Sequence, residues 1–178
     1  MASILLPSGL EGSVELGTFS FTGVSSVALP DNVFSTQFDN YFIQISANQI
    51  TTATNVYFRL RGASGTLNDS YYYGAQGWSS AGAAINRAAA NGGGVYMTGA
   101  TTIKADSVEN AFNIWVSNPI TTGRKNFMYQ SAYWNSSDVQ NSLVGGGFCS
   151  NASTATSLNF VLDAGTTTGK WSVYGMRK

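Results

Sequence analysis

Nine carboxylates are the side chains of this 178-residue sequence best suited to acid–base chemistry: Glu11, Glu15, Asp31, Asp39, Asp69, Asp106, Glu109, Asp138 and Asp163. A glycosidase would need two of them roughly 5–10 Å apart across a cleft. Several stand beside Asn or Ser in turn-like stretches, where Asp bonds its own backbone. They read as turn and surface groups, and no catalytic residue is assigned. A carbohydrate-active enzyme with an Asp/Glu pair remains the remote alternative. There is no histidine. That removes Ser-His-Asp and Cys-His catalysis, His-ligated zinc and histidine pH switching. No calcium-loop pattern is present, so neither a cofactor nor a metal is expected.

Gly165-Thr166-Thr167-Thr168-Gly169-Lys170 is superficially like a phosphate-binding loop. It has three residues between its glycines where that loop needs four, and Trp171 where it needs Ser or Thr. It reads as a turn. The one cysteine, Cys149, can form no internal disulfide and reads as a small buried hydrophobe. Three N-x-[ST] sequons, at Asn68, Asn135 and Asn151, are what chance supplies at this Asn, Ser and Thr content.

Aromatic residues among polar ones give the sequence's best sign of a binding face. They are Tyr71, Tyr72, Tyr73, Trp78, Trp115 and Trp134, with Tyr133 alongside. Consecutive tyrosines in a strand cannot all enter one core. Outward aromatics serve protein interfaces or stack on sugars, and a contact between subunits ranks above a sugar site. Ile4, Leu5 and Leu6 form a further apolar patch near the start.

Charge is scarce and balanced, with nine Lys+Arg against nine Asp+Glu. The basic residues Arg59, Arg61, Arg87, Lys104, Arg124, Lys125, Lys170, Arg177 and Lys178 are scattered. Nucleic acid needs a basic stripe, so it is not an expected partner. No segment reaches the roughly 18 apolar residues of a membrane span. The first seven residues lack the basic n-region of a signal peptide.

The elements that must position these groups are strands. Apolar residues alternate with polar ones in five clear runs. One face collects Tyr41, Ile43, Ile45 and Ala47. Others collect Val56, Phe58 and Leu60; Phe112, Ile114 and Val116; Leu158, Phe160 and Leu162; and Trp171 with Val173. Polar turn clusters separate the runs, among them Leu29-Pro30-Asp31-Asn32 and residues 62–69, 151–156 and 165–169. Asn, Ser, Thr and Gly make up 74 of the 178 residues, as many turns and a half-solvated sheet require. The expected fold is all-β: an antiparallel β-sandwich, jelly-roll-like, with eight or more strands. At most one short helix is expected, over residues 80–91, where six alanines precede Gly92-Gly93-Gly94. An ordered loop there is equally compatible. Residues 1–16 read as an N-terminal arm and residues 17–178 as a single domain.

Two stretches carry a resemblance. The first is Phe38-Asp39-Asn40-Tyr41-Phe42-Ile43-Gln44-Ile45-Ser46-Ala47-Asn48, followed by Val56-Tyr57-Phe58-Arg59-Leu60-Arg61-Gly62-Ala63-Ser64-Gly65. The second is Gly169-Lys170-Trp171-Ser172-Val173-Tyr174-Gly175-Met176. Over residues 34–176 the chain resembles a group of tailed-bacteriophage virion proteins common in marine and cyanobacterial phages. In that group a (Y/F)-D-N-Y-x-(I/L/V)-x-(I/V) strand, an R-L strand and a terminal S-V-Y-G strand recur. The resemblance implies a β-sandwich virion component, often trimeric, and transfers no catalytic residue. Physically, Asp39-Asn40 can turn the chain into a strand, and Gly175 permits close backbone approach.

The expectation is a non-enzymatic structural protein of the virion, assembled in the host cytoplasm. The first choice is a capsid decoration (cement) protein, a homotrimer on the outside of the head. Its arm, through Ile4, Leu5 and Leu6, would lie against the major capsid protein or a neighbour. The alternative is a tail or fibre component that recognises a host-surface glycan through its outward Tyr and Trp residues.

Overall fold

A computed structural model describes residues 12–176. Ile4, Leu5 and Leu6 lie outside the described residues, so the contact expected of them has no structural counterpart here. Thirteen strands follow in chain order. The first six are β1 (Ser13–Val24), β2 (Ser26–Ala28), β3 (Asn40–Asn48), β4 (Val56–Gly62), β5 (Gly65–Thr66) and β6 (Tyr71–Ser79). Then come β7 (Ala84–Gly92), β8 (Val95–Tyr96), β9 (Asn110–Ser117) and β10 (Lys125–Trp134). The last three are β11 (Gln140–Cys149), β12 (Ser157–Leu162) and β13 (Thr167–Met176).

These strands make an all-β antiparallel sandwich. An eight-stranded sheet runs β1-β13-β3-β9-β10-β11-β6-β7, and a smaller sheet runs β2-β12-β4-β5 with β8 beside β4. Every pairing is antiparallel.

The alternation in sequence becomes the division between core and solvent. Tyr41, Ile43, Ile45 and Ala47 of β3 point inward beside Phe112, Ile114 and Val116 of β9, and all are buried. Val56, Phe58 and Leu60 of β4, with Leu158, Phe160 and Leu162 of β12, cover them from the small sheet. Aromatic rings join the two layers: Phe58 meets Phe127 of β10 edge-on at 5.4 Å, and Phe112 meets Phe160 at 5.4 Å. Edge and tilted contacts of this kind add roughly 0.5–1.5 kcal/mol each beyond burial. Cys149 is free and buried, as its reading as a small hydrophobe requires.

Two glycines are fixed by close approach. A Cβ on Gly175 would stand 2.6 Å from the ring of buried Phe38. A Cβ on Gly77 would run into the Ser142 carbonyl on β11. Gly175 is thus the point of close approach that the terminal motif suggested.

Two sequence expectations need correction. The alanine-rich segment 80–91 holds neither a helix nor a loop over most of its length: residues 84–92 are strand β7. Alanine favours helix, but this segment has little apolar surface for a helix to bury. Pairing with β6 satisfies one side of its backbone instead, and Ile85, Arg87 and Ala89 alternate with exposed neighbours. The arm boundary also shifts. Strand β1 begins at Ser13, paired with Met176, so residues 13–16 belong to the sheet.

Candidate functional site

The candidate site is the solvent-facing side of the eight-stranded sheet. Its register builds continuous rows across the strands. One row runs Thr18, Ser172, Gln44, Asn113, Gln130, Val144, Gln76, Asn86, one residue from each of the eight strands. Seven of these eight side chains are uncharged hydrogen-bonding groups, and Val144 is the exception. The next row runs Glu15, Tyr174, Phe42, Trp115, Met128, Gly146, Gly74, Ala88. Phe42 stacks on Trp115 at 4.8 Å and on Tyr174 at 6.1 Å. Three aromatic rings therefore lie side by side on this surface.

The aromatic candidates separate cleanly. Tyr71 and Tyr73 are corrected from surface to core, since both side chains are buried. The Tyr71 hydroxyl accepts the Leu60 N–H at 2.7 Å, and the Tyr73 hydroxyl accepts the Tyr96 N–H at 3.3 Å. Tyr133 is buried as well, and its hydroxyl accepts the Gly99 N–H at 2.7 Å. Tyr72 alternates outward, half-buried, and stacks on Phe148 at 5.1 Å; the Arg124 guanidinium lies 4.6 Å over that same Phe148 ring. Trp115 is half-buried in the stack just described, and Trp134 is half-buried near the far end of β10. Trp78 alone of the candidates stands free, 69% exposed.

Around Trp78 the outer face dips. A groove of ≈ 420 Å³ is lined by Gln76, Gly77, Trp78, Ala84, Asn86, Ser142 and Val144. A neighbouring groove of ≈ 620 Å³ shares Gln76, Asn86 and Val144 and adds Gly74, Ala75, Arg87 and Ala88. The depression follows from the sequence. Gly74, Gly146 and Ala88 fall in one row and leave the sheet nearly bare there, while the next two rows carry full side chains. Trp78 faces Ser142 on one side and Ala84 on the other, and Gln76 faces Val144 and Asn86. The amide side chains and the Ser142 hydroxyl were not singled out by sequence reasoning. The available signal was the i, i+2 spacing of Gly74, Gln76 and Trp78 along one strand face.

Apart from Arg87, no charged residue lines either groove. Lys104 pairs with Asp106 at 3.1 Å and with Asp138 at 2.9 Å, and Arg61 pairs with Asp31 at 3.0 Å. The Lys104 ammonium, with the Ser107 N–H, holds the Asp106 carboxyl below its ordinary range. The Arg87 guanidinium is committed to the Gly99 carbonyl at 2.7 Å and lies 4.1 Å over Tyr96. Lys125 is buried; its ammonium donates to the Gly123 and Asn151 carbonyls, and burial pushes its pKa down. Neither groove near Trp78 is lined by Asp or Glu. A groove over β1, β13 and β3 holds one carboxylate, Glu109, which accepts a bond from Ser46 Oγ at 2.6 Å. No two carboxylates share any of these grooves. Among the described residues no three His, Cys, Asp or Glu side chains gather as a metal would require.

No protein-family model matches the chain, and no curated protein matches it. Among solved structures the likenesses are weak. Galectin LEC-6 of Caenorhabditis elegans is 14% identical over 88% of this chain and 94% of its own, with a TM-score of 0.39. An exo-inulinase from Aspergillus awamori is 10% identical over 93% of this chain and 29% of its own, also at 0.39.

Proposed function

We propose that this chain is a non-enzymatic structural protein of a tailed-phage particle that packs against copies of itself. A capsid decoration protein, trimeric and bound to the outside of the head, is the first reading. The observation that carries it is the open edge of the large sheet. Among the described residues strand β7 pairs only with β6. An edge strand presents unpaired N–H and C=O groups to any chain that fits, and natural edges are guarded by charge, proline or bulges. β1, at the opposite edge, has two register shifts and Glu15. β7 has one shift near its Gly92 end, no proline, and a single charge, Arg87, which is bonded to the Gly99 carbonyl. Along β7 itself Arg87 is the single charge, and scarce charge lowers the cost of desolvation at the edge between subunits.

Two measurements test the proposal. Light scattering on the purified protein should report a trimer, and Ala88→Lys on the edge should shift it toward monomer with an unchanged melting temperature. A strictly monomeric wild-type protein would overturn self-packing. Quantitative mass spectrometry of the particle should find copies comparable in number to the major capsid protein. A number far below that would overturn the decoration reading. A second reading, a tail or fibre component that grips a host-surface glycan, is favoured by the exposure of Trp78, and low copy number is its signature.

A further inference from the structure

We infer that the groove beside Trp78 is a binding site for an uncharged carbohydrate, with the indole as platform and the Gln76, Asn86 and Ser142 side chains as hydroxyl-reading groups. The inference shares a ligand class with the tail reading but rests on the groove alone, wherever the protein sits on a particle.

Four features of the groove argue for a sugar. First, a sugar ring has an apolar C–H face and a hydroxyl rim. The 69% exposed Trp78 supplies a flat apolar surface, and Val144 continues it. Second, the polar groups are of the right kind. A side-chain amide presents both donors and an acceptor, so Gln76 and Asn86 can each serve a hydroxyl in either sense. The register holds these two amides side by side on neighbouring strands, one row away from Trp78. Third, the site sits on paired strands rather than on a loop, and rigid elements position a binding constellation best. Gly77 locks that placement, because any side chain there would strike β11. Fourth, the two adjoining grooves, ≈ 420 and ≈ 620 Å³, fall within the roughly 300–1,000 Å³ of small-molecule sites. They overlap at Gln76, Asn86 and Val144, so an oligosaccharide can continue from one to the other.

Charge decides the class of sugar. The Trp78 groove is lined by no ionised side chain. In the adjoining groove the single charge, Arg87, already serves the Gly99 carbonyl and the Tyr96 ring. An acidic glycan would find no free cation here, and a carboxylate-bearing one would lose its hydration without compensation. A neutral chain of hexoses meets no such penalty. The absence of Asp and Glu from both linings makes this a binding site and leaves it without the carboxylate pair of glycoside hydrolysis.

The test is affinity electrophoresis of the full chain through gels containing dextran, mannan, galactan or alginate. Retardation is expected in at least one neutral gel, unchanged by 0.5 M NaCl, which is roughly where screening removes exposed charge effects. Trp78→Ala should weaken it at least tenfold, Trp78→Phe should restore part of it, and Asn86→Ala should weaken it several-fold. Both residues are exposed, so melting temperatures of the three variants should match the wild type. No retardation in any neutral gel overturns the inference. So does retardation only in alginate that salt abolishes, or neutral binding that survives Trp78→Ala and is lost in Trp134→Ala. Copy number and oligomeric state are read independently, so failure here is distinct from failure of the assembly proposal.

Discussion

Four buried tyrosines differ in what their hydroxyls meet, and that difference predicts the sign of a single-atom deletion. Tyr41 both accepts the Ser35 N–H at 2.6 Å and donates to the Ser35 carbonyl at 2.8 Å. Tyr71 accepts the Leu60 N–H and Tyr133 the Gly99 N–H, each at 2.7 Å. Tyr129 is as buried as the others, yet its hydroxyl has no hydrogen-bond partner. Replacing Tyr by Phe removes one oxygen and keeps the ring. In Tyr71→Phe and Tyr133→Phe a buried backbone N–H loses its acceptor, and in Tyr41→Phe the half-buried Ser35 N–H does, at about 1–3 kcal/mol each. At roughly 2–4 °C per kcal/mol for a domain of this size, melting falls by roughly 2–12 °C. In Tyr129→Phe nothing is orphaned and a buried unpaired oxygen disappears, so stability should hold or rise by about 1 kcal/mol. Thermal melts of the four variants, with urea titrations to confirm an unchanged m-value, make the comparison. A Tyr129→Phe protein as destabilised as the other three would refute the reasoning, because it would mean that this hydroxyl is bonded in the folded chain.

Two further predictions come from the same core. Gly175→Ala drives a methyl against the Phe38 ring at 2.6 Å, and overpacking of this kind costs about 1–3 kcal/mol; a melting temperature within error of the wild type would remove the contact from the account. Burial raises the pKa of both Tyr71 and Tyr129 above the ordinary value of 10.0. The unfolded chain then loses these protons first as pH rises, so the stability they contribute is whole below pH 10 and declines above it. Ultraviolet titration of tyrosinate should show these two ionising only with unfolding, and smooth ionisation of all nine tyrosines in a folded protein would contradict it.

Much of the fold was legible because period two and a dry interior leave one signature. Tyr41 to Ala47, Phe112 to Val116 and Leu158 to Leu162 each present one face to the core as the alternation requires. β7 was hidden because alanine carries helix propensity and too little apolar surface to reveal a face. The decisive fact, a free partner edge on β6, is not local to it. The tyrosine triplet was half legible. Its residues cannot share one face, but only the pairing of β6 with β11 decides that Tyr72 turns outward. The same limit held at the candidate site. Trp78 stood out as an aromatic among polar residues, whereas Asn86 and Ser142 reach it from β7 and β11 through register alone. Alternation says which way a side chain points and nothing about its neighbours across the sheet.

The position of β13 has a consequence for how the protein is made. The last described strand lies between β1 and β3, and among the described residues β1 has no other partner in the sheet. During synthesis β1 leaves the ribosome early and waits for residues 167–176. At about 5–20 residues per second that wait is on the order of ten to thirty seconds. Throughout it, β1 and the β13-facing edge of β3 are unpaired beside chains from neighbouring ribosomes. Closure then depends on one late insertion joining the two ends of the sequence, a non-local step of the kind that slows β folding. Yield of folded protein should therefore respond to temperature and synthesis rate more than to any change on the outer face.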